Sequence, residues 1–161
     1  MLDADIQDRD VLSTIDAIGR MDFQTFLNDA GHYVKQQTER RWARAVDPDE
    51  TPWSANTGDY KDWKQEHYPG APPLTLTGEL RHRISVYLVA GPMAEVGISD
   101  GFHQKISGFP FPWEEPRDYA SIVAGLESGE RGNAPRQIFG LNERDIEETF
   151  RRFCNAVEKV L

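Results

Sequence analysis

The chain has 161 residues, enough for one domain with a real core and short for two. Asp and Glu outnumber Lys and Arg 27 to 18, a formal net charge of −9, which speaks against a general nucleic-acid binder because phosphate neutralisation needs clustered cations. The single cysteine, Cys154, excludes an intramolecular disulfide and a cysteine zinc cluster, and the sequence offers no apolar run suited to a membrane helix, a secretory signal or a transit peptide.

The charge is uneven along the chain. Residues 1–29 hold seven Asp against Arg9 and Arg20, a net of −5, whereas residues 35–44 hold Lys35, Arg40, Arg41 and Arg44 against Glu39, a net of +3. Acids near helix starts and bases near helix ends suit the helix dipole. A sharper reading is that the two patches meet complementary patches on neighbouring subunits. Val11, Leu12, Ile15 and Ile18 recur at helical spacing up to Gly19 and predict a short first helix. Phe23, Phe26, Leu27, Ala30, Val34, Thr38, Trp42 and Ala45 predict a long second helix, capped by Asp22 and ended by Asp47-Pro48.

Residues 47–76 have no period and many turn residues, and they carry Trp53, Tyr60, Trp63 and Tyr68. They read as a long aromatic, proline-rich loop. Ile84, Val86 and Leu88, then Ala94, Val96 and Ile98 after Ala90-Gly91-Pro92, alternate as a β-hairpin does. Residues 101–116 look like an inserted second excursion, with Phe109, Phe111 and Trp113. Tyr119 to Leu126 predicts a short helix, followed by a loop at Gly129/Gly132 and a short strand from Arg136 to Leu141. Asn142 then caps a final helix. Its buried stripe is Ile146, Phe150, Phe153, Cys154, Val157 and Leu161, and Glu147/Arg151 and Glu148/Arg152 are its exposed pairs. The expected fold is α+β: a single domain over residues 1–161 with a small antiparallel sheet, a long N-terminal helix, a C-terminal helix and long aromatic, proline-rich loops. Residues 1–20 form an acidic segment suited to an assembly arm.

Motifs for chemistry fail on context. Gly97-Ile98-Ser99-Asp100-Gly101 spells G-x-S-x-G, but no helical pattern follows it and His103 is the one later histidine. His32, His67, His82 and His103 are scattered and make no H-E-x-x-H. Asp47 and Asp49 begin like a calcium loop that Thr51 and Pro52 interrupt, and Gly125–Gly132 lacks the Lys-Ser/Thr of a phosphate loop. No catalytic residue, cofactor or metal is expected.

Four blocks of sequence point elsewhere. Arg40-Arg41-Trp42 runs into Asp47-Pro48-Asp49-Glu50-Thr51-Pro52-Trp53-Ser54. Leu76-Thr77-Gly78-Glu79-Leu80 follows, running on to Ile84. Then come Tyr119-Ala120-Ser121-Ile122 with Gly125, and Ala134-Pro135-Arg136-Gln137-Ile138-Phe139-Gly140-Leu141. In this order they resemble the phage virion morphogenesis (tail completion) family, with its D-P-x-G-x-x-W, L-x-x-T-G-x-L, Y-A-x-I-x-x-x-G and P-A-R-P-F-L-G-L segments. Val123 stands where the family has a histidine, and Gln137 where it has a second proline.

The resemblance implies a non-enzymatic structural protein of the head–tail junction, a ring-forming tail completion, tail terminator or neck protein. Its partners would be further copies of itself, commonly six in all, with tail tube or sheath protein and connector proteins. DNA would pass only as cargo, no membrane is involved, and the protein would be assembled in the host cytoplasm into the virion. The alternatives are another tube- or sheath-binding component of a contractile particle and, more distantly, a small serine hydrolase using Ser99. Interface candidates are Trp42, Trp53, Trp63, Phe109, Phe111, Trp113, Arg136 and Phe139. Thr77, Gly78, Leu80, Tyr119, Gly125, Pro135 and Gly140 are candidates for structural roles. Six copies at −9 each carry −54 formal charges, and the Asp-rich N-terminus or the Glu127/Glu130 loop could line a channel that DNA crosses without sticking.

Overall fold

The computed structural model of the chain describes residues 4–89, 93–103, 117–129 and 134–161. Its elements run α1 (Ala4–Arg20), α2 (Phe23–Arg44), α3 (Gly58–His67), α4 (Glu79–His82), β1 (Ile84–Val89), β2 (Met93–Ile98), β3 (Phe102–His103), β4 (Arg117–Asp118), α5 (Tyr119–Ser128) and α6 (Glu143–Glu158). Strands β1 and β2 form an antiparallel pair from Ile84↔Ile98 to Val89↔Met93, and β3 pairs with β4. The expected mixture of helices with a small antiparallel sheet is what these residues form. Among the described residues no helix is long and apolar enough to cross a membrane.

Helix α2 is the axis of the molecule. The Asp22 carboxylate accepts the amides of Gln24 and Thr25 at 3.1 and 3.2 Å and fixes its start. A tight corner joins it to α1, where the Phe23 amide donates to Met21 O at 3.0 Å. The helix ends at Arg44, before the expected stop at Asp47-Pro48, because Ala45 turns left-handed (φ 54°). The chain then doubles back: Asp47 holds the Thr51 amide, and the Trp53 amide donates to Ala45 O at 2.8 Å. Midway, α2 crosses the β1–β2 hairpin at Gly31. A Cβ there would stand 2.6 Å from Val86 Cγ1, so the glycine serves close approach and not flexibility. Trp42, Trp53, Leu80, Ile84, Tyr119, Val123 and Ile138 form the core below the C-terminal half of α2.

Four expectations need correction. Residues 47–76 are not loop throughout, since Gly58–His67 is helical. Tyr60, Trp63 and His67 fall on one side of that turn and stack, with centroids 6.0 and 5.1 Å apart. Residues 136–141 make no strand, because their amides go elsewhere: Arg136 donates to Leu126 O, and Ile138 and Phe139 both donate to Glu127 Oε1.

The first helix begins at Ala4, earlier than its apolar stripe predicts, and it leaves Val11, Leu12 and Ile15 more than half exposed. Among its residues with described burial, Ala17 is buried, as is Met21 just past its C-terminal end. In α6 the inward face is rotated from the expected one. Phe150 is 65% exposed, and Ile146 and Leu161 also face solvent. Asp145, Glu148 and Arg152 turn toward α2 instead: Arg152 reaches Asp29 at 2.8 Å and lies over the Tyr33 ring. Arg151 pairs with Glu148 and not with Glu147.

Candidate functional site

Residues from the four sequence blocks meet in one buried junction. Trp42 and Trp53 meet edge to face at 5.7 Å. The Trp42 indole donates to Thr75 Oγ1 at 3.3 Å, and the Trp53 indole donates to Gln137 O at 3.0 Å. Leu80, Tyr119, Val123 and Ile138 close the same core. Thr77 and Gly78 start α4: Gly78 is left-handed (φ 79°) and Thr77 Oγ1 accepts the Glu79 amide. The Tyr119 hydroxyl donates to Glu79, and the Arg83 guanidinium lies 4.9 Å from its ring centroid. Burial first, and then the Glu79 carboxylate, raise the Tyr119 phenol above its ordinary pKa. Gly125 O accepts the amide of Gly129, which ends α5, while Pro135 lies at the surface.

Gly140 is needed where it stands. Its φ is 151°, and a Cβ would press on Pro48 Cγ at 2.9 Å and Gln137 Nε2 at 2.8 Å. Residues 134–141 thus act as a strap. Arg136 is buried and donates to Ser54 O at 3.0–3.1 Å, with Ala55 O and Asn56 Oδ1 completing its ring of acceptors. Burial lowers its pKa, and burial with the neighbouring Arg136 charge lowers Lys64 to about 8. Lys64 Nζ donates to Pro72 O, which ties α3 to the loop behind it.

Among the interface candidates, Trp42, Trp53, Trp63 and Arg136 are buried within their own chain, and Phe139 packs half-buried on the core. Phe109, Phe111, Trp113 and Glu130 lie outside the described residues. Glu127 Oε1 accepts two backbone amides, those of Ile138 and Phe139.

The sequence reading passed over one buried charge pair. Arg41 and Asp145 meet at 2.7 Å with their side chains 4% and 6% exposed, joining α2 to α6. Arg41 also donates to Pro48 O, as does Asn142 Nδ2 at 2.8 Å. Asp145 doubles as the third residue of a capping box on Asn142. The N-x-x-D spacing was the available signal. Tyr33 donates to the other Asp145 oxygen at 3.3 Å; burial first, then this carboxylate, raises its pKa.

Ser99 follows β2 with its amide on Arg83 O, and the chain continues into β3, so the strand-to-helix turn of a nucleophile elbow is missing. Among the described residues no group of three His, Cys, Asp or Glu could hold a metal ion. A concavity of a different kind is an open groove of about 950 Å³ between the C-terminal half of α2 and the start of α6. Arginines from both helices line it, together with Glu50, Asp145, Glu147 and Glu148. Comparison with family models, with curated proteins and with solved structures gives no match.

Proposed function

We propose that the chain is a structural subunit of a phage head–tail junction, a ring-forming tail completion, tail terminator or neck protein that acts by self-association and by binding tail tube and connector. The observation that carries this reading is the convergence of the four blocks. Trp42, Trp53, Leu80, Tyr119 and Ile138 come from segments far apart in sequence and share one core, so the ordered set behaves as the scaffold of one fold. The apolar residues that α1 and α6 leave in solvent fit a part made for assembly.

The test is the mass of the full chain in solution, followed by electron microscopy with purified tail tubes. A multimer that caps tube ends is the expected result. A stable monomer that binds neither tubes nor connectors overturns the reading. Decoration along the tube length would instead favour another tube- or sheath-binding component.

A further inference from the structure

Two features are left largely uncovered within one chain. The first is the groove between α2 and α6. Three of its arginines are already paired, Arg41 with Asp145, Arg44 with Glu50 and Arg151 with Glu148. Arg40 on the α2 wall and Arg144 on the α6 wall are exposed and have no carboxylate partner among the described residues, against one unpaired acid, Glu147. Tyr33 and Ala43 add apolar lining. The second feature is α1, an amphipathic helix with four Asp against Arg9 and Arg20, with Val11, Leu12 and Ile15 uncovered. Among the described residues Asp10 has no ion pair, and Asp16 pairs with the exposed Arg20.

We infer that the groove receives α1 of a second copy of this chain, in the helix-in-groove manner: the apolar stripe against Tyr33 and Ala43, the aspartates toward Arg40 and Arg144. This rests on the reading that the chain self-assembles, and it names the contact. The chain's own α1, which touches α6, cannot cover the Arg40–Arg44 part of the groove. That helix is tied to the start of α2 at Met21–Asp22, and Val11–Ile15 lie only about 9–15 Å along it from the corner. The groove residues Gln37–Arg44 lie roughly 21–32 Å up α2 from the same corner. Folded back, the stripe would reach the level of Tyr33 but fall short of Arg40 and Ala43. An acidic arm entering a basic groove at a different place on the next copy is a head-to-tail contact, which closes into a ring or runs on as a filament.

The test uses the full chain and two double variants, Arg40→Glu/Arg144→Glu in the groove and Asp10→Arg/Asp16→Arg in the arm. All four residues are exposed, so circular dichroism should keep the wild-type helix signal. Native mass spectrometry and sedimentation should show each double variant self-associating about 30-fold more weakly than wild type, from lost attraction plus like-charge repulsion. The quadruple variant should recover to within about fivefold. Mixing the two double variants should restore assemblies holding them in equal numbers, since each then meets its complement.

Wild-type association in both double variants overturns the docking and leaves the ring reading standing. Loss that neither the quadruple variant nor the mixture repairs also overturns it. A groove variant that self-associates but loses tube binding assigns the groove to the tube protein and overturns the docking. A wild-type chain that stays monomeric overturns it too, and takes the ring reading with it if tubes are not bound.

Discussion

Beneath the C-terminal half of α2, Thr38, Arg41 and Trp42 are almost wholly buried, and every polar atom of Arg41 that is described has an acceptor. At the other end of the same helix, α1 leaves Val11, Leu12 and Ile15 in solvent, although their spacing is as regular as any in the chain. The difference is one of specification. The buried end needs particular residues at particular places: an indole N–H on Gln137 O, a carboxylate on Arg41, no side chain at Gly31. The outer end needs only a class of residue at an interval. Identity builds the single chain's core, and periodicity alone builds a face whose cover comes from outside.

The largest effect should come from the buried charge pair. Asp145→Ala leaves Arg41 buried without its counter-ion and should destabilise the chain by about 3–5 kcal/mol in urea unfolding. Replacing both partners, Arg41→Met with Asp145→Leu, should recover more than half of that loss. Full recovery would show the pair adds specificity more than stability; no recovery would show that the network through Pro48 and Asn142 matters more than the charges.

Gly31→Ala should cost about 1–3 kcal/mol, because the added methyl meets a β-branched side chain that can rotate little. A neutral result would mean that α2 and the hairpin can slide apart, and the contrast between a fixed and an open end would weaken.

Lys64 gives a pH signature. Its folded pKa of about 8 lies below the ordinary 10.5, so the folded chain binds fewer protons than the unfolded one between those values. The cost of the buried cation is fully present below pH 8 and is relieved as pH rises. Stability should therefore increase by about 2 kcal/mol from pH 7.5 to 9.5, below the range where the raised tyrosines would matter. Lys64→Met should flatten that rise.

The smallest effect on folding should come from the outer face. Leu12→Ser should change stability by less than about 0.5 kcal/mol, as exposed substitutions do. It should still weaken self-association about tenfold by sedimentation, at roughly the scale of one buried leucine side chain. A large loss of stability would mean that α1 is packed on its own chain after all.

How far the fold was legible follows from locality. The Asp22 cap, the alternation of β1 and β2, and the Asn142 start of α6 are decided within a few residues, and each is where the sequence puts it. Helix α3 was hidden because Tyr60, Trp63 and His67 carry its helical spacing among polar neighbours, between segments dense in Pro and Gly. The strap at 134–141 looks like a strand, but its neighbours are the Glu127 carboxylate and the Leu126 carbonyl, and pairing across such distances leaves no local mark. The aromatic residues announced that they needed cover without saying whose chain supplies it. In α6, periodicity grouped Ile146 with Phe150 correctly. Which face turned inward was decided by Asp145 on Arg41 and Arg152 on Asp29, contacts more than a hundred residues apart.

The corner at Met21–Asp22 acquires a geometric meaning from this arrangement. Helix α2 carries the groove at one end and, through that corner, the arm at the other, while Gly31 locks the helix against the hairpin between them. In the proposed assembly, the rotation from one subunit to the next is then the bend between α1 and α2, set by the buried Met21 and by the Asp22 cap. The number of copies that close a circle would be written in that one angle, and a residue or two added at the corner should change the count before it disturbs the fold.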